Sequence, residues 1–166
     1  TATEFSCDPN GGGTTTVGAA LAIAQHVTKI DIAVKINGGT FAGIKAINES
    51  NPQENDPAAQ VALKVSDGAF TGDVSITNDA GTEITGGTFS SDVADLVSGG
   101  STAIEQPDGT FTVGALTEET AAAKDQSGKL YRSFADALND TSATEITLLK
   151  DVTAKPCTTV NTGAFN

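Results

Sequence analysis

Apolar and other side chains alternate along several stretches of the chain. Ile30, Ile32, Val34 and Ile36 alternate with Lys29, Asp31, Ala33 and Lys35, and Val61, Leu63 and Val65 alternate with Ala62 and Lys64. Val74 and Ile76, then Ile84, and late in the chain Ile146, Leu148 and Val152 continue the pattern. A period of two is that of a strand with one buried face, here aliphatic inward and small or charged outward. Two stretches have helical spacing instead. Val17, Ala20, Leu21 and Ala24 fall on one face of a predicted helix ending near His26. Tyr131, Phe134, Ala135 and Leu138 repeat that spacing, with Asn139-Asp140 as a stop. Each predicted helix is followed by a strand, Lys29 to Ile36 and Glu145 to Val152, so a helix-then-strand unit opens twice.

A short motif returns within this pattern. Gly38-Gly39-Thr40-Phe41 is echoed by Asp67-Gly68-Ala69-Phe70, Gly86-Gly87-Thr88-Phe89 and Asp108-Gly109-Thr110-Phe111, and Gly163-Ala164-Phe165 is a candidate fifth copy. The Phe residues of the first four copies are separated by 29, 19 and 22 positions, each within the length of one coil of a β-solenoid. The expectation is that Gly39, Gly68, Gly87 and Gly109 turn corners, and that Phe41, Phe70, Phe89 and Phe111 stack from coil to coil. The predicted fold is therefore all-β, a right-handed parallel β-helix with short capping helices. Residues 1–13 are expected as an N-terminal extension, 14–114 as the solenoid module with its cap helix, 115–128 as a connector, and 129–166 as the start of a second helix-strand unit. Glu49 to Pro57, with two Pro and three acids, reads as an exposed loop. Thr117 to Ala123 fits a short helix or a linker turn equally well.

Composition supports strands over long helices. The 166 residues include 18 Gly and 24 Thr, no Trp and one Tyr, and 166 residues suffice for a single sizeable core. A net charge of -12 opposes binding to a phosphate backbone, so nucleic acid is not expected as a partner. No apolar run approaches the roughly 18 residues of a membrane span, so no membrane insertion is expected.

The stretch Lys129-Leu130-Tyr131-Arg132-Ser133-Phe134-Ala135-Asp136-Ala137-Leu138, followed by Glu145-Ile146-Thr147-Leu148-Leu149-Lys150-Asp151-Val152-Thr153, resembles the opening segment of parallel β-helix (pectate-lyase-like) modules in surface proteins of Gram-positive bacteria. Ile84 to Val93 and Asp108 to Val113 look like the closing coil of such a module. The resemblance implies an exported, surface-exposed structural or adhesive role, with an export signal outside this sequence. Host or cell-wall glycans are a possible partner class for an adhesin of this kind.

Chemistry-bearing residues are sparse. With one His and one Arg, and acids that come singly, neither nucleophilic catalysis nor a glycosidase pair has an obvious constellation. No enzyme activity, cofactor or metal is expected. The glycine runs lack the Lys-Ser/Thr of a phosphate loop. Cys7 and Cys157 lie near opposite ends, and free thiols, a link within one chain and a link between chains all remain open. Asn48 and Asn139 head N-glycosylation sequons. The expected function is non-enzymatic: an extracellular protein that assembles with itself head to tail, with Ile146, Leu148 and Val152 of the late strand meeting Val17 and Leu21 of the cap in the next copy. A monomeric adhesin module and a viral decoration or fibre protein are the alternatives.

Overall fold

The structure, a computed structural model, describes residues 4, 6–7, 16–25, 30–52, 54–55 and 61–151. It is mostly β, with a mixed sheet and little helix. The chain divides into two compact units, Thr1–Gly114 and Ala115–Asn166.

In the first unit, β1 (Ser6–Cys7) pairs antiparallel with β2 (Thr16–Val17). β3 (Ala19–Ala24), β4 (Ile32–Ser50) and β5 (Val61–Ile76) then lie side by side and parallel. The two short strands β6 (Thr82–Ile84) and β7 (Gly87–Phe89) both pair parallel with β5. After a 3-10 turn at Ala94–Leu96, β8 (Ser101–Glu105) and β9 (Phe111–Ala115) complete the sheet, in the order β3-β4-β5-β7-β9-β8.

Register carries the alternation from strand to strand. Val34 pairs with Leu63, Ile36 with Val65, and Val65 with Ile84, which bridges to Val97. Phe41 pairs with Phe70, and Phe70 with Phe89. Their rings stack at 5.0 Å and 4.5 Å with interplanar angles of 8° and 5°, spacings close to that of neighbouring strands. Leu63, Val65, Phe70, Ile84 and Phe89 are fully buried in one aliphatic and aromatic core. The chain bends beside each Phe through a glycine of positive φ: Gly39 (+100°), Gly68 (+133°) and Gly87 (+112°). At Gly72, with φ +118°, a Cβ would collide with the carbonyl oxygen of Gly43 on the next strand, so only glycine allows this approach.

Several expectations are corrected. The predicted cap helix at Val17 to Ala24 is a strand. Leu21, Ile23 and Gln25 alternate inward against outward Ala20 and Ala22, and pairing with Lys45–Ser50 rewards period two over the helical spacing that the Ala residues also permit. The fourth motif does not extend the parallel series. Gly109 has φ +80° in the turn that leads into β9, and β9 runs antiparallel to β7, pairing Phe111 with Phe89. The proposed loop from Glu49 begins instead at Asn51, because Glu49 and Ser50 complete β4.

In the second unit, β10 (Ala123–Asp125) is the central strand, flanked antiparallel by β11 (Leu130–Tyr131) and β12 (Ile146–Leu148). Residues 115–128 therefore contribute this sheet's middle strand and are not merely a connector. Helix α1 (Phe134–Asn139) forms where its spacing predicts and begins at Ser133, whose hydroxyl accepts from the Asp136 amide at 3.0 Å. Asp140 ends it. Ala123, Tyr131 and Ala137, with Ile146 against them, form its small core. Thr117 to Thr120 is a turn, closed by the Ala121 amide on the Thr117 carbonyl.

Candidate assembly site

The parallel series ends differently on its two sides. On the far side, β9 covers β7, and Val97 covers Ile84. On the near side, β3 pairs only with Lys45–Ser50 of β4. Among the described residues, no strand pairs with the stretch from Ile32 to Ala42 on that side. Burial records the difference. Ile32, Val34 and Phe41 are half-buried, whereas their partners one strand further in are buried: Val61, Leu63 and Phe70, the last 2% exposed, with Phe89 beyond it at 0%. Three inward side chains, and the outer edge of β4 beside them, therefore form an apolar step whose backbone pairs with no strand among the described residues.

Polar columns run alongside this step. Ser66 Oγ lies 2.9 Å from Asn37 Oδ1, and Thr85 Oγ1 donates to the Val65 carbonyl at 3.3 Å. One column further out, Lys35 pairs with Lys64, which pairs with Glu83 and bonds its carboxylate at 2.9 Å and 3.0 Å. That ion pair is half-exposed on both sides and contributes little to stability.

Of the residues singled out in the sequence, Gly39, Phe41, Gly68, Phe70, Gly87 and Phe89 come together, while Phe111 sits on the antiparallel strand β9 and Gly109 in the turn before it. Val17 (47% exposed) and Leu148 (49%) are exposed, Leu21 and Ile146 are half-buried, and Val152 lies outside the described residues. Ile146 and Leu148 do not belong to an unpartnered strand, since their backbone pairs with β10. Asn48 is 4% exposed within β4, so the fold closes its sequon, whereas Asn139 is exposed at the end of α1. Cys7 is in β1, while Cys157, His26 and Gly163 to Phe165 lie outside the described residues.

Two side-chain clusters escape a reading of the sequence. In the first unit, Glu49 (1% exposed) and Gln25 (0%) are buried together. Gln25 Nε2 donates to Glu49 Oε1 at 2.7 Å, and the amides of Thr77 and Asn78 each donate to Oε2 at 2.8 Å. This carboxylate ties the ends of β3, β4 and β5 together, in a column where its register partners are Ile23 and Ile76. The alternation Leu21, Ile23, Gln25 is the one signal that could have placed Gln25 inward.

In the second unit, Asp125, Lys129, Tyr131 and Asp140 meet. Tyr131 OH is 2.9 Å from Asp140 Oδ2 and 3.2 Å from Asp125 Oδ2, and Lys129 Nζ donates to Asp140 Oδ2 while lying 5.1 Å from the Tyr131 ring centroid. Ser127 closes on Asp125, and Ser142 on Asp140, through hydroxyl and amide donors. The Lys129 ammonium, then Ser142, holds the Asp140 carboxyl well below the usual carboxylate range. The Ser127 hydroxyl lowers the Asp125 carboxyl. Burial, then the two carboxylates, pushes the Tyr131 phenol up. The cluster is satisfied by donors from its own unit, and among the described residues no three potential metal ligands gather. Among the described residues, no helix is long and apolar enough to cross a membrane.

Comparison with protein-family models, with curated proteins and with solved structures returns no match.

Proposed function

We propose that this chain is a non-enzymatic structural protein of an extracellular surface, a β-solenoid module that joins copies of itself head to tail. The observation that carries the reading is the difference beside the Phe series: β9 pairs with β7 on one side, and among the described residues no strand pairs with Ile32 to Ala42 of β4 on the other. An edge with unpaired N–H and C=O groups beside half-buried Ile, Val and Phe is a template for another strand. A contact between two different surfaces of one molecule propagates from copy to copy, and gives a filament where the rotation between copies does not close a ring. Parallel strands that set Phe opposite Phe and bend at glycine beside the stacked rings support a short parallel β-helix, in which each strand is one rung. The general right-handedness of parallel connections supports a right-handed coil.

The contact differs from the one expected on sequence grounds. We place the receiving surface at the edge of β4, whereas Ile146 and Leu148 lie in β12, an edge strand of the second unit's sheet that pairs with β10. Negative-stain microscopy and sedimentation velocity on the purified chain test the reading. Filaments or a concentration-dependent series of oligomers are expected, and uniformly monomeric particles at high concentration contradict it.

A further inference from the structure

We infer that the open edge of β4 receives residues 159–165 of a second copy of the chain as an additional parallel rung. The inference rests on the self-assembly reading above and names the contact that it requires.

Three strands reach their Phe through one seven-residue frame: Lys35-Ile36-Asn37-Gly38-Gly39-Thr40-Phe41, Lys64-Val65-Ser66-Asp67-Gly68-Ala69-Phe70 and Glu83-Ile84-Thr85-Gly86-Gly87-Thr88-Phe89. Each part of the frame has a place in the fold. The aliphatic residue five before the Phe is buried, at Ile36, Val65 and Ile84. The residue four before it is Asn, Ser or Thr and belongs to the polar column described above. The glycine two before it takes a positive φ, and the Thr or Ala just before it faces outward.

Thr159-Val160-Asn161-Thr162-Gly163-Ala164-Phe165 meets every one of these requirements. The Phe111 motif does not: Gln106 stands five positions before it and Pro107 four before it. Phe111 is also the one of the four described motifs whose strand runs antiparallel. The full frame therefore separates the three parallel rungs from the exception, and residues 159–165 fall with the parallel set.

The frame also fits the open edge chemically. Set in register on Lys35–Phe41, it would lay Phe165 against Phe41, extending a ring series spaced at 5.0 Å and 4.5 Å. Val160 would cover Ile36. Asn161 would stand beside Asn37, where stacked side-chain amides bond one another along the column. Thr159 would neighbour Lys35, adding no third cation to the Lys35 and Lys64 pair. The donor segment and the receiving edge are different surfaces of the chain, so exchange between copies is a heterologous contact that a third copy can extend.

Complementation between two variants of the full chain tests this, read by light scattering after size exclusion, with circular dichroism to check folding. Phe165→Asp spoils the donor, and Val34→Lys spoils the receiving edge. Each variant alone is expected to fall from the assembled mass to the 16.7 kDa of the single chain. An equimolar mixture is expected to rise to a heterodimer, because one partner keeps an intact donor and the other an intact edge. Assembly of Phe165→Asp equal to that of the unaltered chain overturns the inference while leaving self-assembly standing with another occupant. A mixture of two folded variants that stays monomeric overturns it as well. An unaltered chain that never assembles removes the self-assembly reading itself. Should Val34→Lys fail to fold, a peptide of residues 158–166 added to the full chain replaces it. The peptide is expected to shorten the assemblies and its Phe165→Asp version to leave them unchanged, and equal behaviour of the two overturns the inference.

Discussion

Replacing Glu49 with Ala would remove the buried carboxylate to which the Gln25 amide and the backbone amides of Thr77 and Asn78 all donate, and open a cavity in its place. Losing the acceptor of several buried donors costs far more than any single hydrogen bond contributes, so Glu49→Ala is expected to lower unfolding free energy by about 3 kcal/mol. Glu49→Gln fills the same space and can still present an oxygen to the two backbone amides while its amide group meets a rotated Gln25. Its expected loss is smaller, about 1 kcal/mol. Chemical denaturation of the three proteins checks the order, and equal stability of Glu49→Ala and the unaltered chain contradicts the clamp. A fully buried glutamate is not legible in the sequence, where Glu49 stands among Asn, Ser, Asn and Pro that describe a loop. Only the register with Ile23 and Ile76 places it in the interior.

Among the elements, the Phe series is the clearest signal in the sequence and stacks ring on ring in the core of the first unit. Phe70 has Phe41 on one face and Phe89 on the other, so Phe70→Ala removes two ring contacts and opens a cavity at the centre of the series. A loss of about 4 kcal/mol is expected in denaturant unfolding, and a loss well below 2 kcal/mol would mean that the rings stack without supporting the fold. The second unit offers a separate probe, since Tyr131 is the only Tyr in a chain without Trp. Asp125 and Asp140 bind protons less readily in the fold than in the unfolded chain, so the stability they contribute is present above the ordinary carboxylate range and is lost as pH falls below it. Tyr131 shifts the other way: its contribution is complete below about pH 10 and is lost as pH rises further, where the unfolded chain's phenol gives up a proton that the fold retains. Melting followed by Tyr131 fluorescence is expected to show a plateau between these limits with a fall on both sides. A profile with no acid limb contradicts the role given to the two Asp residues.

The same elements indicate what sequence periodicity could and could not deliver. Strands of alternating Ile, Val and Leu were readable because their inward residues carry most of the chain's apolar bulk. The stretch from Ala19 to Ala24 was not, since Ala satisfies helical and strand spacing alike and the decision rests with β4, a distant partner. Strand β10, three residues long with one Lys and one Asp, has no periodicity to read and exists because β11 and β12 flank it. The cluster at Asp125, Tyr131 and Asp140 was hidden for the same reason, as it forms only once a hairpin and a helix bring three separated residues together.

At the scale of the whole molecule, the question is whether the open edge of β4 meets the frame at residues 159–165 in another copy. Parallel register makes a sharp geometric demand. Thr40 pairs with Ala69, and Ala69 with Thr88, each just before its Phe and each facing outward, so position 164 of the incoming rung must lie beside position 40. Neighbouring strands sit about 4.8 Å apart, within the span that a disulfide bridges. The most direct measurement is therefore oxidation of a chain carrying Thr40→Cys and Ala164→Cys, with Cys7→Ser and Cys157→Ser to remove the native thiols, followed by electrophoresis with and without reductant. The expected result is a ladder of covalently linked chains that collapses to one band on reduction, absent from either single-cysteine variant. A monomer band unchanged by oxidation, or a faster-running monomer that reports a link within one chain, would contradict assembly through this edge.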